Sequence, residues 1–137
     1  MSHLDVVRAQ LRIDEGVRDK PYHCSAGKLT IGVGRNLDDK GLKADEIALM
    51  LDNDILDAER DARALFPSFD TLSVNRRAVL VNMAFNVGRD RLAGFKKFRA
   101  AVEAGEFYKA ADEMLDSQWA KQVGLRAARL SMQMREG

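Results

Sequence analysis

The chain has 137 residues, a formal net charge of +1, 46% apolar residues and 31% charged residues. This composition suits one soluble globular domain with a real core, and the near-neutral charge gives no support for nucleic-acid binding. The single cysteine, Cys24, excludes an internal disulfide and a cysteine-based metal site, and two histidines are too few for a histidine-rich one. We therefore expect neither a metal nor a cofactor.

The N-terminal segment lacks the basic start and apolar core of a secretory signal. No stretch approaches the ~18 apolar residues that a membrane span requires. We therefore expect a chain that is made and folded in the cytoplasm and does not insert stably into a membrane.

The first predicted element is a helix that begins after Ser2 and ends at Glu15. Ser2 and Asp5 fit an N-cap, and Gly16 can end the helix. Glu15 then lies in the last turn, beside the negative end of the helix dipole, where an ionised carboxylate is disfavoured. Because a general acid has to keep its proton, this position suits that role.

An extended segment follows, with a turn at residues 25–27 and a strand in KLTIGVG. Apolar and polar residues alternate in this strand, so we expect Thr30 to face away from the apolar side, towards solvent or a cleft. The helix end and the hairpin would bring together Glu15, Cys24 and Thr30. An acid, a soft nucleophile or base and a water-holding hydroxyl can split a glycosidic or acyl bond, although three such residues also occur together by chance.

The rest of the chain has helical periodicity. A long helix is predicted over residues 43–65, and Pro67 stops it. Ser73 is expected to cap the next helix, which ends at Gly88 and is apolar on nearly every side, as a buried central helix is. Two shorter helices follow at residues 97–104 and 106–115.

Four polar residues in this helical region are open to two interpretations. Asn82 and Asn86 lie four apart on the central helix; buried amides are usually satisfied structural groups, but Asn86 at the helix end can reach a cleft. Arg126 and Arg129 share one helix face, which is either solvated or pairs with a buried carboxylate.

Motifs in three parts of the chain resemble those of one known family. The signature Glu, eight residues, Asp or Cys, five residues, Thr falls on Glu15, Cys24 and Thr30. NRRAVLVNMAFNVG, the later Gly94-Phe95 pair and SQWAKQVGLRAARL add further matches, in order, as far as about Arg129. The chain thus resembles bacteriophage-type lysozymes, the endolysins of glycoside hydrolase family twenty-four.

This resemblance implies an α+β, mainly helical, two-lobed lysozyme-like fold. A small antiparallel sheet would lie in the N-terminal lobe, and the helical C-terminal lobe would surround the buried central helix. We expect one lysozyme domain over residues 1–137, with a small lobe at about 14–42, a connecting helix at about 43–66, and a helical lobe at about 67–137 that includes the N-terminal helix.

The resemblance also implies hydrolysis of the β-1,4 bond between N-acetylmuramic acid and N-acetylglucosamine in peptidoglycan. Carried over by position, Glu15 is the proton donor, Cys24 occupies the Asp/Cys position, and Thr30 helps to hold the attacking water. Phe85 and Asn86 fall on the cleft side of the central helix, where sugars are contacted.

Arg126 falls where the family has an arginine beside the catalytic glutamate, and we expect it to pair with Glu15. Arg35 stands where the best-studied members have a histidine, so we expect no histidine–aspartate pair linking the lobes. The implied partner is the glycan strand of peptidoglycan, bound by a monomer that lyses bacteria. A protein made in the host cytoplasm without a signal peptide needs a separate membrane-permeabilising protein to reach the cell wall.

The thiol of Cys24 leaves open what chemistry the second residue of the Glu–Asp/Cys–Thr signature performs. A free thiol has a pKa of ~8.5, and the sequence predicts that burial and the nearby Glu15 raise the pKa of Cys24 further. Three roles remain: a minority thiolate base on water, a nucleophile that forms a thioglycosyl intermediate, or a group that only positions water with Thr30. A buried inert cysteine is the fourth reading, and we favour water activation with inversion at the anomeric carbon.

Two other functions compete with the muramidase. A lytic transglycosylase cuts the same bond with one glutamate and leaves an anhydro sugar, but it needs no bound water, which Cys24 and Thr30 would hold. A non-catalytic peptidoglycan-binding module is favoured by the missing second carboxylate.

Overall fold

The computed structural model describes residues 1–137 and is mainly helical, with eight α-helices, one short 3-10 helix and one small antiparallel sheet. This confirms the predicted α+β class with its sheet near the N-terminus. No helix has both the length and the apolar character to cross a membrane. In chain order the elements are α1 His3–Glu15, β1 Arg18–His23, β2 Leu29–Gly32, β3 Arg35–Asn36, α2 Ala44–Leu65, the 3-10 turn Phe69–Thr71, α3 Val74–Val87, α4 Arg89–Ala93, α5 Lys96–Glu103, α6 Phe107–Leu115, α7 Gln118–Val123 and α8 Leu125–Glu136.

The chain divides into two compact units, Met1–Leu49 and Met50–Gly137. The first unit contains α1, the sheet and the start of α2, and the second contains the remaining helices. The predicted lobe boundaries and the predicted placement of the N-terminal helix in the helical lobe stay predictions.

Helix α1 begins and ends where the sequence predicts. The Ser2 hydroxyl accepts a hydrogen bond from the Asp5 amide at 3.3 Å, and the Asp5 carboxylate accepts one from the Ser2 amide at 3.1 Å. This reciprocal pair satisfies two amides at the helix start. The last helical residue is Glu15, followed by Gly16 at a φ of +75°.

The sheet has the strand order β1-β2-β3, and β2 lies in the middle. Thr30 of β2 is aligned with Tyr22 on one side and Asn36 on the other. It is only 3% exposed, so of the two expected alternatives the solvent-facing one is wrong, and the one in which Thr30 faces a cleft stays a prediction. Strand alternation separates two faces but does not say which of them is covered.

An ion pair between Arg35 of β3 and Glu46 of α2 connects the end of the sheet with the start of this helix. The Arg35 guanidinium donates two hydrogen bonds to the Glu46 carboxylate, each 2.7 Å long, and a third to the Gly41 carbonyl at 3.1 Å. The Lys43 amide donates to the same carboxylate at 2.8 Å. The Arg35 guanidinium, and then the Lys43 amide, hold the pKa of Glu46 at about 2. Arg35 thus has a carboxylate partner within its own unit.

Replacing Glu46 with glutamine should lower thermal stability near neutral pH and have little effect in strong acid. The folded pKa of about 2 lies below the unfolded value of about 4.3. The pair therefore stabilises the folded chain fully above about pH 5, and this contribution is lost as pH falls towards about 2. Thermal unfolding of both proteins across this range, followed by circular dichroism, measures the difference.

The matched control for Glu46→Gln is Asp57→Asn. Asp57 forms a looser pair with Arg60, 3.4 Å long and with both side chains mostly exposed, and such pairs contribute little. A stability difference for Glu46→Gln that stays constant between neutral pH and pH 2 would contradict this assignment.

The hydrophobic core lies in the second unit and is organised around α3. Ser73 caps this helix by accepting a hydrogen bond from the Arg76 amide at 3.2 Å, as predicted. The all-round apolar pattern overestimates its burial, because Phe85 is 46% exposed. The largest fully buried side chains of the core are Trp119, Phe66, Leu80, Met83, Leu92, Met114, Met134, Val79 and Val102.

Candidate active site

The carboxyl group of Glu15 lies against the turn that joins β2 to β3. Glu15 is the final residue of α1, and Gly34 is in the two-residue turn between Gly32 and Arg35. A Cβ atom on Gly34 would lie 2.8 Å from Oε2 of Glu15. The end of α1 therefore places the Glu15 carboxyl group against the β2–β3 turn of the sheet.

Cys24 follows β1 and opens the turn that leads into β2. Its amide donates to the Lys28 carbonyl at 3.0 Å, and its carbonyl accepts from the Gly27 amide at 2.8 Å. These two hydrogen bonds close the turn and leave the half-buried thiol on it. The free cysteine of the chain is thus held by the backbone of a tight hairpin.

The pKa of Cys24 is lowered, which corrects the expectation that it would be raised. The main cause is hydrogen bonding of the thiolate by the Lys28 amide and then by the Ala26 amide. Burial acts in the opposite direction but is outweighed. The turn therefore favours the anionic form of sulfur, which is the form that acts as a base or nucleophile.

Thr30 lies across the hairpin from Cys24, in the central strand. Its hydroxyl donates a 2.9 Å hydrogen bond to the Lys28 carbonyl. With its proton directed there, the Thr30 oxygen still has lone pairs that can accept a hydrogen bond from water. The three residues of the predicted catalytic set, Glu15, Cys24 and Thr30, all belong to the first unit, on or beside its sheet.

Phe85 and Arg126 line one groove in the second unit, with a volume of about 600 Å³ and a mainly apolar lining. The Arg126 guanidinium donates to the Asn82 side-chain oxygen at 2.6 and 3.0 Å. Arg126 is thus oriented by an amide of the central helix. The predicted pairing of Arg126 with Glu15 stays a prediction.

Asn86 has a structural partner. Its side-chain oxygen accepts a 2.8 Å hydrogen bond from the indole N–H of Trp119, and Trp119 is 1% exposed. A buried indole N–H left without an acceptor is destabilising. The side-chain oxygen of Asn86 therefore has the structural role that the sequence allowed. The two N–H donors of Asn86 remain available for a ligand.

Sequence reasoning missed two contributors to these arrangements. The roles of Gly34 beneath Glu15 and of Asn82 beside Arg126 each depend on contacts between residues distant in sequence. A glycine in the turn between β2 and β3 was the available signal for Gly34, since its positive φ of +69° favours glycine.

The sequence pattern that defines the family described as Phage lysozyme matches residues 12–135. A curated relative, the pre-baseplate central spike protein Gp5 of Enterobacteria phage T4, is 27% identical over 150 positions, which cover 89% of this chain and 26% of that protein. Another, the probable T4-type lysozyme 2 of Dictyostelium discoideum, is 23% identical over 154 positions, which cover 90% of each protein. The chain thus spans about a quarter of the length of the spike protein and nearly all of the length of the second relative.

Proposed function

Because the chain belongs to the phage lysozyme family, we propose that it is a muramidase that hydrolyses the β-1,4 bond between N-acetylmuramic acid and N-acetylglucosamine in peptidoglycan. The observation that carries this proposal is the packing of the Glu15 carboxyl on the glycine turn of the sheet that also bears Thr30. Cys24 lies in the other turn of the sheet, between β1 and β2, where backbone N–H donors favour its thiolate. An acid and a potential base on one small scaffold are what glycoside hydrolysis requires.

The proposed reaction involves two proton transfers, one to the leaving glycosidic oxygen and one from the attacking water. Protonated Glu15 donates its proton to the glycosidic oxygen as the bond to the anomeric carbon breaks. A water molecule, donating one hydrogen bond to the Thr30 oxygen, attacks the anomeric carbon from the opposite face. The Cys24 thiolate takes the proton that this water loses, so the product sugar carries a new hydroxyl group of inverted configuration.

Glycan recognition in this proposal involves the second unit. Phe85 is 46% exposed on the apolar groove, and an exposed aromatic ring offers a flat apolar surface to a sugar ring. Asn86 contributes its free N–H donors, and Arg126, held by Asn82, contributes a fixed cation. We propose these three residues as the substrate-binding set.

The test is a turbidity assay on permeabilised bacteria combined with mass spectrometry of the released fragments. We expect clearing and fragments that end in a reducing sugar, one water heavier than an anhydro product. Anhydro-ended fragments would select a lytic transglycosylase, and binding to cell walls without clearing would select a non-catalytic module.

The biological role that follows is that of an endolysin. We propose that the chain acts as a monomer on cell-wall peptidoglycan and contributes to bacterial lysis. We propose further that a separate membrane-permeabilising protein releases it to its substrate.

A further inference from the structure

The backbone of Gly34 forms the surface on which the Glu15 carboxyl group rests. An L side chain on Gly34 would begin with a Cβ atom 2.8 Å from Oε2, 3.1 Å from Cδ and 3.2 Å from Cγ of Glu15. These separations are below van der Waals contact, so a substituted residue and Glu15 cannot both keep their positions. Glu15 thus occupies the space that a side chain at position 34 would fill.

The turn that carries Gly34 is fixed, so relief of this clash would fall on Glu15. The next residue, Arg35, is paired with Ile31 in the sheet and is held by the Glu46 carboxylate through two 2.7 Å hydrogen bonds. The Glu15 side chain, in contrast, has three rotatable bonds and ends at an exposed helix terminus. Moving Glu15 is therefore the easier adjustment.

We propose that Gly34 is a positioning residue that sets where the Glu15 carboxyl group presents its proton. The proposal rests on the muramidase function given above, in which Glu15 is the general acid. A proton donor works only within hydrogen-bond reach of the leaving oxygen, and a displacement of about 1 Å is enough to lower the rate steeply.

Gly32 provides a matched control in the same hairpin. Its φ angle is +69°, equal to that of Gly34, but a Cβ atom on Gly32 would meet nothing within 4 Å. Alanine at either position therefore strains the backbone to a similar degree. Only alanine at Gly34 collides with Glu15.

The experiment compares Gly34→Ala and Gly32→Ala on soluble, uncross-linked peptidoglycan strands. We expect kcat to fall roughly 10- to 100-fold for Gly34→Ala with KM within about twofold, because the acid is misplaced while the binding residues are untouched. Gly32→Ala should keep kcat near that of the wild type. Gly32→Ala should unfold about 3 to 6 °C earlier because of the strained φ, and Gly34→Ala should unfold earlier still because of the added collision with Glu15.

A second measurement does not depend on activity. Stability that Gly34→Ala loses beyond Gly32→Ala should return when Glu15 is also replaced by alanine, because the colliding atoms are gone. If Gly34→Ala does not fold, the double variant should fold. An excess loss that persists in the double variant, or failure of both proteins to fold, overturns the proposal.

The outcomes separate this proposal from the proposed function. Equal kcat values for Gly34→Ala and Gly32→Ala, with Glu15→Gln inactive, overturn the positioning role and leave the muramidase intact. Full activity of Glu15→Gln overturns the muramidase mechanism and the positioning role together.

Discussion

Replacing Glu15 with glutamine is expected to lower the rate of peptidoglycan hydrolysis by about 1,000-fold or more and to leave thermal unfolding close to that of the wild type. General acid catalysis contributes roughly 100- to 10,000-fold, and glutamine has no proton that it can transfer to a leaving sugar oxygen. Glutamine has nearly the same shape, so it can occupy the same space over Gly34. The initial rate of turbidity loss and the midpoint of thermal unfolding measure the two effects.

Asp14→Asn is the matched control for this variant. Asp14 precedes Glu15 on α1, which has no buried residue, and its replacement likewise changes a carboxyl group to an amide at the same helix end. We expect full activity and a stability change within about 0.5 kcal/mol, as for most surface substitutions. If both variants lost activity equally, the effect would come from the loss of any carboxyl group at this helix end and not from a proton donor at Glu15.

The parts of the fold that depend on local chemistry could be predicted from the sequence. Ser2 and Ser73 marked the starts of α1 and α3, because a hydroxyl before an apolar-periodic segment satisfies free amides of the first helical turn. The position of Glu15 at a helix end followed directly from the cap and from Gly16. One short helix, α4 at Arg89–Ala93, has too few residues for a periodic signal and was not predicted.

The properties that depend on distant contacts or on turn geometry could not be predicted. The lowered pKa of Cys24 comes from amides of its own turn, and their direction is set by backbone angles that residue types alone do not specify. The burial of Thr30 depends on which face of the sheet is covered. Glu15 and Gly34 are separated in sequence by the whole β1–β2 hairpin, so their contact is evident only in the folded structure.

Cys24→Ser and Cys24→Asp are expected to have opposite effects on activity. Serine keeps a small polar side chain that can hold water but does not ionise, so we expect a loss of about 100-fold or more if the thiolate is the base. Aspartate restores an anion in the position where the family signature has Asp or Cys, so we expect its activity to equal or exceed that of the wild type. Rates on soluble peptidoglycan strands at neutral pH compare the three proteins.

The pH dependence gives the sharper form of this prediction. The fraction of the wild-type protein in which Cys24 is deprotonated, and so able to act as the base, rises as pH increases through the pKa of Cys24. The Lys28 and Ala26 amides lower the pKa of Cys24, so this rise should come below the pH at which an ordinary thiol ionises. A carboxyl group is ionised already in mild acid, so the base of the Cys24→Asp variant does not follow this rise. Both proteins need the same proton donor, so the ratio of the variant's activity to that of the wild type should fall with increasing pH.

Two further measurements separate the remaining roles of Cys24. Proton NMR of the first-formed product should show the inverted anomer, and a retained β-anomer would identify the thiol as a nucleophile with a thioglycosyl intermediate. Alkylation of the half-buried thiol with iodoacetamide should abolish activity. A Cys24→Ser variant with the wild-type rate would reduce Cys24 to a water-positioning group, and full activity after complete alkylation would leave it no part in the reaction.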